Sequence, residues 1–321
     1  MRVLSRRSIP LFDEQQLEWV QGDVRDFHLA TQACQGVEVV FHVAALPGIW
    51  GSWADYYSVN TLGTEVLLAA CRAQSVKAFV YTSSASVVFD DSDHCDADET
   101  LPYAGRFLCH YPHTKALAER AVLRANGRDG LATAALRPHL IWGPGDKHLI
   151  PRLIQRSRAG KLWRVGDGAN LVSTSYIVDT ALAHVLAAEN LLTTQTAAGR
   201  AYFVTDAKPV HLWQWIDDIL ARAGLTKPQR VLSPRVAWRL GHFYELLYKL
   251  FRLKSEPPLT RFLAQQLSRT HTYSSRRAAE DFGYQPRATY EEGMRQLEPE
   301  IRQLSKPTAS VACTETPNVR A

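Results

Sequence analysis

The fold of this chain is decided by two short stretches, AFVYTSSASV at residues 78–87 and HYPHTKALAER at residues 110–120. The first is an apolar, β-rich run that ends in clustered hydroxyls, which is typical of a strand followed by a turn. The second carries Tyr111 and Lys115 four residues apart, so a helix would present both side chains on one face. An ammonium beside a phenol favours the phenolate, so Lys115 is expected to lower the Tyr111 pKa and to create a proton-transfer device.

Outward from these stretches, short β-branched or aromatic runs alternate with helical segments. Strands are predicted over residues 38–43, 79–84 and 133–141, and a helix over 63–74. Such alternation predicts βαβ units and a parallel sheet. After Lys147 the pattern changes to mixed helices and short strand-like pieces.

The order of strand, clustered serines, loop and Tyr-x-x-x-Lys helix resembles the extended short-chain dehydrogenase/reductase superfamily, which includes the NAD-dependent epimerases and dehydratases. The resemblance runs over about residues 1–295. It implies an α/β fold with a Rossmann-like, doubly wound parallel sheet and a smaller C-terminal substrate lobe. It also implies that Ser84, Tyr111 and Lys115 form the catalytic triad.

The same resemblance marks residues around the cofactor. Gly22-Asp23-Val24 is similar to the turn that contacts the adenine ring, and residues 41–45 to the strand that lies along the cofactor. Asn60 matches the asparagine that shapes the active-site helix, and residues 136–146 match the segment that packs on the nicotinamide. The cofactor-binding residues implied are Arg6, Arg7, Asp23, Val24, His42, Ala44, Ala45, Asn60, Tyr111, Lys115, Pro138 and Leu140.

Within the superfamily, residues 82–87 and the RPHLIWGP run at 137–144 most resemble the 3β-hydroxysteroid dehydrogenase group, which includes sterol-4-carboxylate 3-dehydrogenases. Residues 256–262 and 281–286 resemble bacterial 2-alkyl-3-oxoalkanoate reductases. The predicted activity is NAD(P)-dependent interconversion of a secondary alcohol and a ketone on a hydrophobic substrate, either a 3β-hydroxysteroid or a long-chain β-keto acid. A nucleotide-sugar epimerase or dehydratase and an inactive remnant are the alternatives.

One expected element is missing from the sequence. Members of the superfamily open with a strand and a Gly-x-x-Gly-x-x-Gly turn, where a helix N-terminus holds the pyrophosphate. This chain has no such turn, and residues 1–7 resemble the second strand of the family. We therefore expect the first βα unit to be absent, with its counterpart upstream of Met1, and we expect weak dinucleotide binding.

The choice between NADP and NAD depends on the end of the family's second strand, which residues 1–7 resemble. NAD-binding members commonly carry an acidic residue there, which binds the ribose hydroxyls. Ser5-Arg6-Arg7 instead offers guanidinium groups that suit a 2′-phosphate, so NADP is predicted, with NAD as the alternative.

Composition places the chain among enzyme-sized proteins with one full core: 321 residues, 46% of them hydrophobic. The net charge of +5 is scattered, which argues against nucleic-acid binding. Five cysteines show no metal-ligand spacing or pairing pattern, so we predict no metal and a cytoplasmic location. His42, His110, His113 and His139 are interpreted as packing or hydrogen-bonding residues.

The predicted domains are a truncated dinucleotide-binding core (1–146), an interleaved substrate lobe (147–300) and a disordered tail (301–321).

Residues 236–253 form an unusually apolar amphipathic segment with a few basic residues. One interpretation is a helix packed on the substrate lobe. The other is an interfacial helix that makes a peripheral contact with a membrane and admits a lipid-like substrate. A homodimer is the remaining predicted partnership.

Overall fold

The computed structural model describes residues 1–8 and 13–305 as a set of mostly parallel strands and surrounding helices. The strands are β1 (Arg2–Ser5), β2 (Glu18–Gln21), β3 (Val39–His42), β4 (Ala78–Thr82), β5 (His94–Ala97), β6 (Ala132–Pro138), β7 (Ile141–Trp142), β8 (Arg164–Val165), β9 (Leu171–Val172), β10 (Ser175–Tyr176), β11 (Arg200–Val204), β12 (Val210–His211), β13 (Val231–Leu232) and β14 (His271–Tyr273). The α-helices are α1 (Phe27–Cys34), α2 (Trp53–Tyr56), α3 (Gly63–Ala73), α4 (His110–Ala125), α5 (Leu149–Arg158), α6 (Ile177–Leu192), α7 (Leu212–Arg222), α8 (Pro234–Leu250), α9 (Arg261–Gln266), α10 (Arg276–Phe282) and α11 (Tyr290–Ser305).

The central sheet contains four parallel strands in the order β11-β6-β4-β3. Its middle strands, β4 and β6, are buried along most of their length, as strands covered on both faces must be. Alternation along β4 decides which helices cover each face. Phe79 and Tyr81 pack with α3 and α4, whereas Ala78 and Val80 pack with α6. The predicted α/β fold with a parallel sheet is confirmed.

A second parallel pair, β1 and β2, stands apart from this sheet, with Arg2 opposite Glu18. In the part of the chain that the structure describes, no strand joins β1 to β3 by hydrogen bonds, so β3 is an edge of the central sheet. Phe41 and Val43 at this edge are exposed, at 43% and 65% of their surface. The arrangement agrees with the expectation that a central strand is missing from the sheet of this chain.

A second core lies largely among residues 142–301 and is centred on Trp142, Trp213 and Trp215. Its small sheet has the order β12-β9-β14-β5, so β5 reaches it from the first half of the chain, while α6 and β11 return to the central sheet. Helix α11 closes this core with residues spaced to lie on one face, namely Met294, Leu297 and Ile301. Residues 301–305 are therefore helical rather than part of a tail. The rest of the predicted tail, 306–321, lies outside the described residues.

Helix α8 begins where the sequence provides a cap. Ser233 accepts a hydrogen bond from the Val236 N–H, and Pro234 occupies the first turn, where its missing N–H has no cost. Gly241 lets α8 approach the start of α9 closely, since a Cβ there would lie 2.6 Å from the Thr260 carbonyl carbon. Among the described helices, none has the length and apolar character needed to cross a bilayer.

Candidate active site

Ser84 lies where β4 ends and the chain turns into a short 3-10 helix, Ala85–Val87. Its Oγ accepts a hydrogen bond from the Ser86 N–H at 3.2 Å and lies 2.8 Å from the Ser86 Oγ. The side chain is half-buried, so its hydroxyl can still be reached by a ligand. Ser83 next to it is buried, and its N–H donates to the Leu136 carbonyl at 2.6 Å. The local turn therefore presents Ser84 rather than Ser83.

Tyr111 lies in the first turn of α4, close enough to Ser84 for the two hydroxyls to interact. Burial raises the pKa of Tyr111 to about 12, and the hydrogen bond with Ser84 opposes this shift. The phenol is therefore protonated at neutral pH and can donate a proton to an oxygen atom placed beside it.

Lys115 lies one turn further along α4 and is 2% exposed. Its Nζ donates to the Thr82 carbonyl at 2.6 Å and lies 4.1 Å from the centre of the Tyr81 ring. Burial lowers the pKa of Lys115 to about 7, and the Glu119 carboxylate opposes this shift. The Lys115 amino group thus contacts a carbonyl oxygen and the face of an aromatic ring. Near neutral pH both its charged and its neutral form are populated.

The expectation that Lys115 lowers the Tyr111 pKa is wrong for the chain by itself. Desolvation dominates at Tyr111, and the stabilising hydrogen bond there comes from Ser84. The Lys115 ammonium is engaged by Thr82 instead, and its own charge is weakened by burial.

Asn60 connects the active-site helix to the loop after β3. It lies in a π-helical turn, Tyr57–Leu62, where the widened backbone turns its side chain inward. Its Oδ1 accepts from the Leu46 N–H at 2.7 Å, and its Nδ2 donates to the Thr114 Oγ1 at 3.1 Å. Thr114 directly precedes Lys115, so Asn60 fixes the register of this part of α4 against the loop.

A buried ion pair supports the back of the site. The Arg137 guanidinium contacts both carboxylate oxygens of Glu119, at distances from 2.6 to 3.2 Å. The Tyr103 hydroxyl also donates to Glu119, at 2.7 Å. Arg137 and its hydrogen bonds keep the pKa of Glu119 below its usual value despite burial, so a carboxylate remains charged behind Lys115.

Five of the predicted cofactor residues lie at or just after the ends of β3 and β6. His42 is buried, its Nε2 lies 2.9 Å from the Thr64 Oγ1, and burial lowers its pKa to about 3. Ala44 is exposed and Ala45 half-buried, which leaves the backbone after β3 open to a ligand. Pro138 is the last residue of β6, and Leu140 has a positive φ of 42° where the chain turns away. Because β3 and β6 are parallel to β4, these residues lie at the same sheet edge as Ser84.

The other four predicted cofactor residues lie on or after β1 and β2. The Asp23 carboxylate bonds to Arg25 at 2.8 and 2.9 Å, and Arg25 keeps the pKa of that carboxyl below its usual value. Val24 is half-buried next to Asp23. Arg6 and Arg7 are exposed at the end of β1, and Arg6 is near enough to Asp23 to influence its charge. These residues belong to the β1–β2 pair, so the site draws on two sheets that are not joined by hydrogen bonds.

The residues present fit one half of a nicotinamide dinucleotide. Tyr111, Lys115 and Pro138 lie where a nicotinamide and its ribose could be held, with a buried ammonium as hydrogen-bond donor. In residues 1–8 and 13–305, by contrast, no strand leads through a glycine-rich turn into a helix N-terminus that could hold a pyrophosphate.

The sequence did not reveal a buried histidine pair next to this edge. His139 Nε2 lies 2.6 Å from His271 Nδ1, and His271 Nε2 faces the Gln266 carbonyl at 2.9 Å. That carbonyl requires a donor, so His271 Nδ1 accepts and His139 donates. Burial lowers the pKa of both rings, of His271 to about 4, so the pair is neutral. The two residues are 132 positions apart, and no local signal predicts their contact.

The sequence also gave no role to Tyr81, whose ring supports Lys115. A signal was present in this case. Tyr81 alternates with Phe79 on the face of β4 that α4 covers, which places it under the helix that carries Lys115.

Residues 6–235 match the sequence profile of the 3-beta hydroxysteroid dehydrogenase/isomerase family. The chain is 45% identical over 281 residues to the 2-alkyl-3-oxoalkanoate reductase of Stenotrophomonas maltophilia, covering 87% of this chain and 84% of that protein. It is 33% identical over 299 residues to a decarboxylating sterol-4-alpha-carboxylate 3-dehydrogenase of Mus musculus, covering 92% and 83%. A dTDP-glucose 4,6-dehydratase of Streptomyces venezuelae, solved with NAD bound, superposes with a TM-score of 0.70 at 19% identity, covering 94% of this chain and 87% of that chain.

The fold and the named relatives place the chain among the NAD(P)-dependent dehydrogenases and reductases. The chain belongs to the 3-beta hydroxysteroid dehydrogenase/isomerase family. The predicted family, Rossmann-like fold and class of reaction, NAD(P)-dependent oxidoreduction of a hydrophobic substrate, are thereby confirmed.

Proposed function

We propose that this chain reduces the ketone of a long-chain β-keto acid to a secondary alcohol. The observation that carries the proposal is the protonated Tyr111 phenol beside Ser84, because ketone reduction requires a proton donor at the carbonyl oxygen. The choice of substrate is supported by the 45% identity to a 2-alkyl-3-oxoalkanoate reductase.

In this mechanism the Ser84 hydroxyl donates a hydrogen bond to the ketone oxygen. A bound nicotinamide dinucleotide supplies the hydride that reduces the carbonyl carbon. As negative charge develops on the oxygen, the Tyr111 hydroxyl gives up its proton, and the resulting phenolate regains one from solvent. The Ser84 hydroxyl, which already opposes the raised pKa of Tyr111, stabilises that transient phenolate, and the Lys115 ammonium offers a donor to the nicotinamide ribose.

We propose NADP as the preferred dinucleotide. Arg6 and Arg7 are exposed at the end of β1, and no acidic residue occupies the last position of that strand, Ser5. Guanidinium groups suit a 2′-phosphate, whereas a carboxylate would repel it. Calorimetric titration with NADPH and NADH tests this choice. It also tests the inactive alternative, for which neither dinucleotide would bind.

Sterol oxidation is the second candidate, supported by the 33% identity to the mouse sterol dehydrogenase. Both substrates are apolar, so the discriminating experiment compares NADPH-dependent reduction of 2-alkyl-3-oxo acids with oxidation of a 4-carboxysterol. The keto-acid proposal expects the first activity to dominate. Equal turnover of a nucleotide sugar would favour the epimerase alternative instead.

Chain length gives a further test of the proposal. Each buried methylene contributes roughly 0.8 kcal/mol, or about a fourfold gain in kcat/KM, until the site is filled. A series of β-keto acids of increasing length should therefore show a rising kcat/KM. A flat series would contradict an apolar substrate site.

We also infer that the segment 236–253 contacts a membrane surface, and that the lipid-like substrate enters there. Phe243, Leu246 and Leu250 on α8 expose 53%, 54% and 74% of their surface. The end of this segment adjoins the active-site region, because the Trp50 Nε1 donates to the Leu253 carbonyl at 3.3 Å.

The predicted homodimer is a separate proposal, which a measurement of the particle mass by light scattering tests.

A further inference from the structure

A cavity of about 320 Å³ lies between α8 and α9, away from Ser84 and Tyr111. Three of its lining residues are arginines and one is a tryptophan, with a proline and a glutamine completing the wall. They are Pro234, Arg235, Trp238, Arg239, Gln265 and Arg269. No carboxylate lines it.

The arginines of this cavity are largely free to bind an anion. Arg235 and Arg239 are one turn apart on α8, exposed, and form no ion pair with any residue that the structure describes. Arg269 approaches Asp93 at 3.5 Å, with both side chains about half exposed. Such a pair in water is weak and can exchange for a stronger anion. Three guanidinium groups around one volume therefore suit a phosphate.

The cavity adjoins the exposed apolar stripe of α8. Val236, Phe243 and Leu250 follow each other at intervals of seven residues and lie on one face, with Leu246 beside them. Arg239 projects from the same side of the helix, since it lies four residues before Phe243. Anion-binding and apolar groups thus share one surface.

The net positive charge of α8 and the residues beside it also favours the binding of an anionic partner. Residues 233–255 contain five cations, Arg235, Arg239, Lys249, Arg252 and Lys254, and a single acid, Glu245. Glu245 is buried and bonded to Arg261, at 2.7 Å from its backbone N–H and 2.8 Å from its Nε, so it does not weaken the positive surface. A neutral protein groove would not match this charge, whereas an anionic bilayer matches both the charge and the apolar stripe.

We propose that the cavity between α8 and α9 binds the phosphate headgroup of an anionic lipid while the α8 stripe enters the outer layer of the bilayer. This inference rests on the membrane contact proposed above and adds the lipid class and the binding site. Trp238 in the cavity wall suits such a position, because indole rings favour the interface between headgroups and acyl chains.

The proposed docking places the active-site helix near the lipid. The Trp50 ring lies 6.0 Å from the Tyr248 ring of α8, and the Trp53 ring lies 5.6 Å from the His110 ring, next to Tyr111. These aromatic contacts join the end of α8 to the first turn of α4. A lipid-like substrate leaving the bilayer at the end of α8 would therefore have a short path to the site.

The test is co-sedimentation of the full chain with vesicles of phosphatidylcholine alone and of phosphatidylcholine mixed with phosphatidic acid. The wild-type chain should bind the anionic vesicles more tightly. In the cavity variant, Arg235→Gln with Arg239→Gln, affinity for the anionic vesicles should fall about 30-fold, since each basic residue at such a surface contributes roughly fivefold. The control variant, Arg276→Gln with Arg277→Gln, removes the same charge from the exposed face of α10 and should bind like the wild type.

A third variant, Phe243→Ser with Leu246→Ser, distinguishes the headgroup site from the membrane contact of the α8 stripe. If the cavity variant and the control bind equally while the serine variant loses binding, the headgroup site is wrong and the membrane contact stands. If the wild-type chain binds neither kind of vesicle, the membrane contact itself is wrong. The melting temperature of each variant is measured as a folding control. Values within a few degrees of the wild type show that a loss of vesicle binding is not caused by unfolding.

Discussion

The Tyr111 hydroxyl is the group on which the proposed chemistry depends. Tyr111→Phe removes the proton donor while keeping the ring that fills its position in α4. We expect kcat to fall by roughly 10²–10⁴-fold, as for loss of a general acid, with dinucleotide affinity nearly unchanged. Steady-state kinetics and calorimetry measure the two quantities. Tyr202→Phe, which removes from β11 the hydroxyl that donates to Asp281, is the matched control and should have parent activity.

Lys115 gives the site a predictable pH dependence. Its pKa of about 7 means that the free chain loses the ammonium as the pH rises, whereas a bound ribose favours the charged form. Above about pH 7 binding must take up a proton, so the Kd for NADPH should rise by up to about tenfold per pH unit. In Lys115→Met the Kd should be larger and independent of pH. A wild-type Kd that is constant from pH 6 to 9 would remove Lys115 from cofactor binding.

At the scale of elements, the contact between α8 and α9 depends on Gly241. A Cβ at this position would lie 2.6 Å from the Thr260 carbonyl carbon and 2.7 Å from the Arg261 nitrogen, both backbone atoms that cannot rotate away. Although alanine favours a helix by about 1 kcal/mol over glycine, the overpacking costs about 1–3 kcal/mol. Gly241→Ala should therefore lower stability to urea.

The control for this substitution is Gly105→Ala, because nothing lies within 4 Å of the position a Cβ would take there. We expect this change to alter the free energy of unfolding by less than about 0.5 kcal/mol. If both variants unfold at the parent urea concentration, α8 and α9 do not pack closely at Gly241.

For the whole molecule, buried histidines predict sensitivity to acid, and His42, His139 and His271 dominate because their pKa values are lowered more than that of His184. Burial lowers the pKa of His42 to about 3 and of His271 to about 4, and lowers that of His139 well below its usual value. Below pH 6.5 the unfolded chain binds protons at these residues and the folded chain does not, so stability falls as the pH falls. Each contributes up to about 1.4 kcal/mol per pH unit, or roughly 4 kcal/mol per unit together.

Urea unfolding between pH 6.5 and 5.5 measures this slope. His42→Gln, which keeps a hydrogen-bonding group near Thr64, should reduce it by about a third. His148→Gln changes an exposed histidine at the start of α5 and should leave the slope unchanged. The same slope in all three proteins would show that His42 does not control the acid response.

The hydrophobic pattern of the sequence predicted the bounds of strands and helices well where buried positions recur at regular intervals. The strand around residues 79–84 and the helix over 63–74 lie within about two residues of their predicted bounds. The tail boundary was placed too early because Ile301, seven residues after Met294, continues the buried face of α11. Periodicity therefore extends further than the polar residues between these positions suggest.

By itself the sequence determined the order of strands and helices and the family, and it led to the proposal of residues for the hydroxyl, phenol and ammonium. It could do so because each of these depends on neighbours within a few positions, or on motifs that keep their spacing. Only the tertiary structure decided the charge states and the long-range contacts. Burial holds the proton on Tyr111 and weakens the charge of Lys115, and distant segments meet in the His139–His271 pair and in the arginine cavity between α8 and α9. Desolvation and such contacts depend on the surroundings of a side chain in space, which spacing along the chain does not encode.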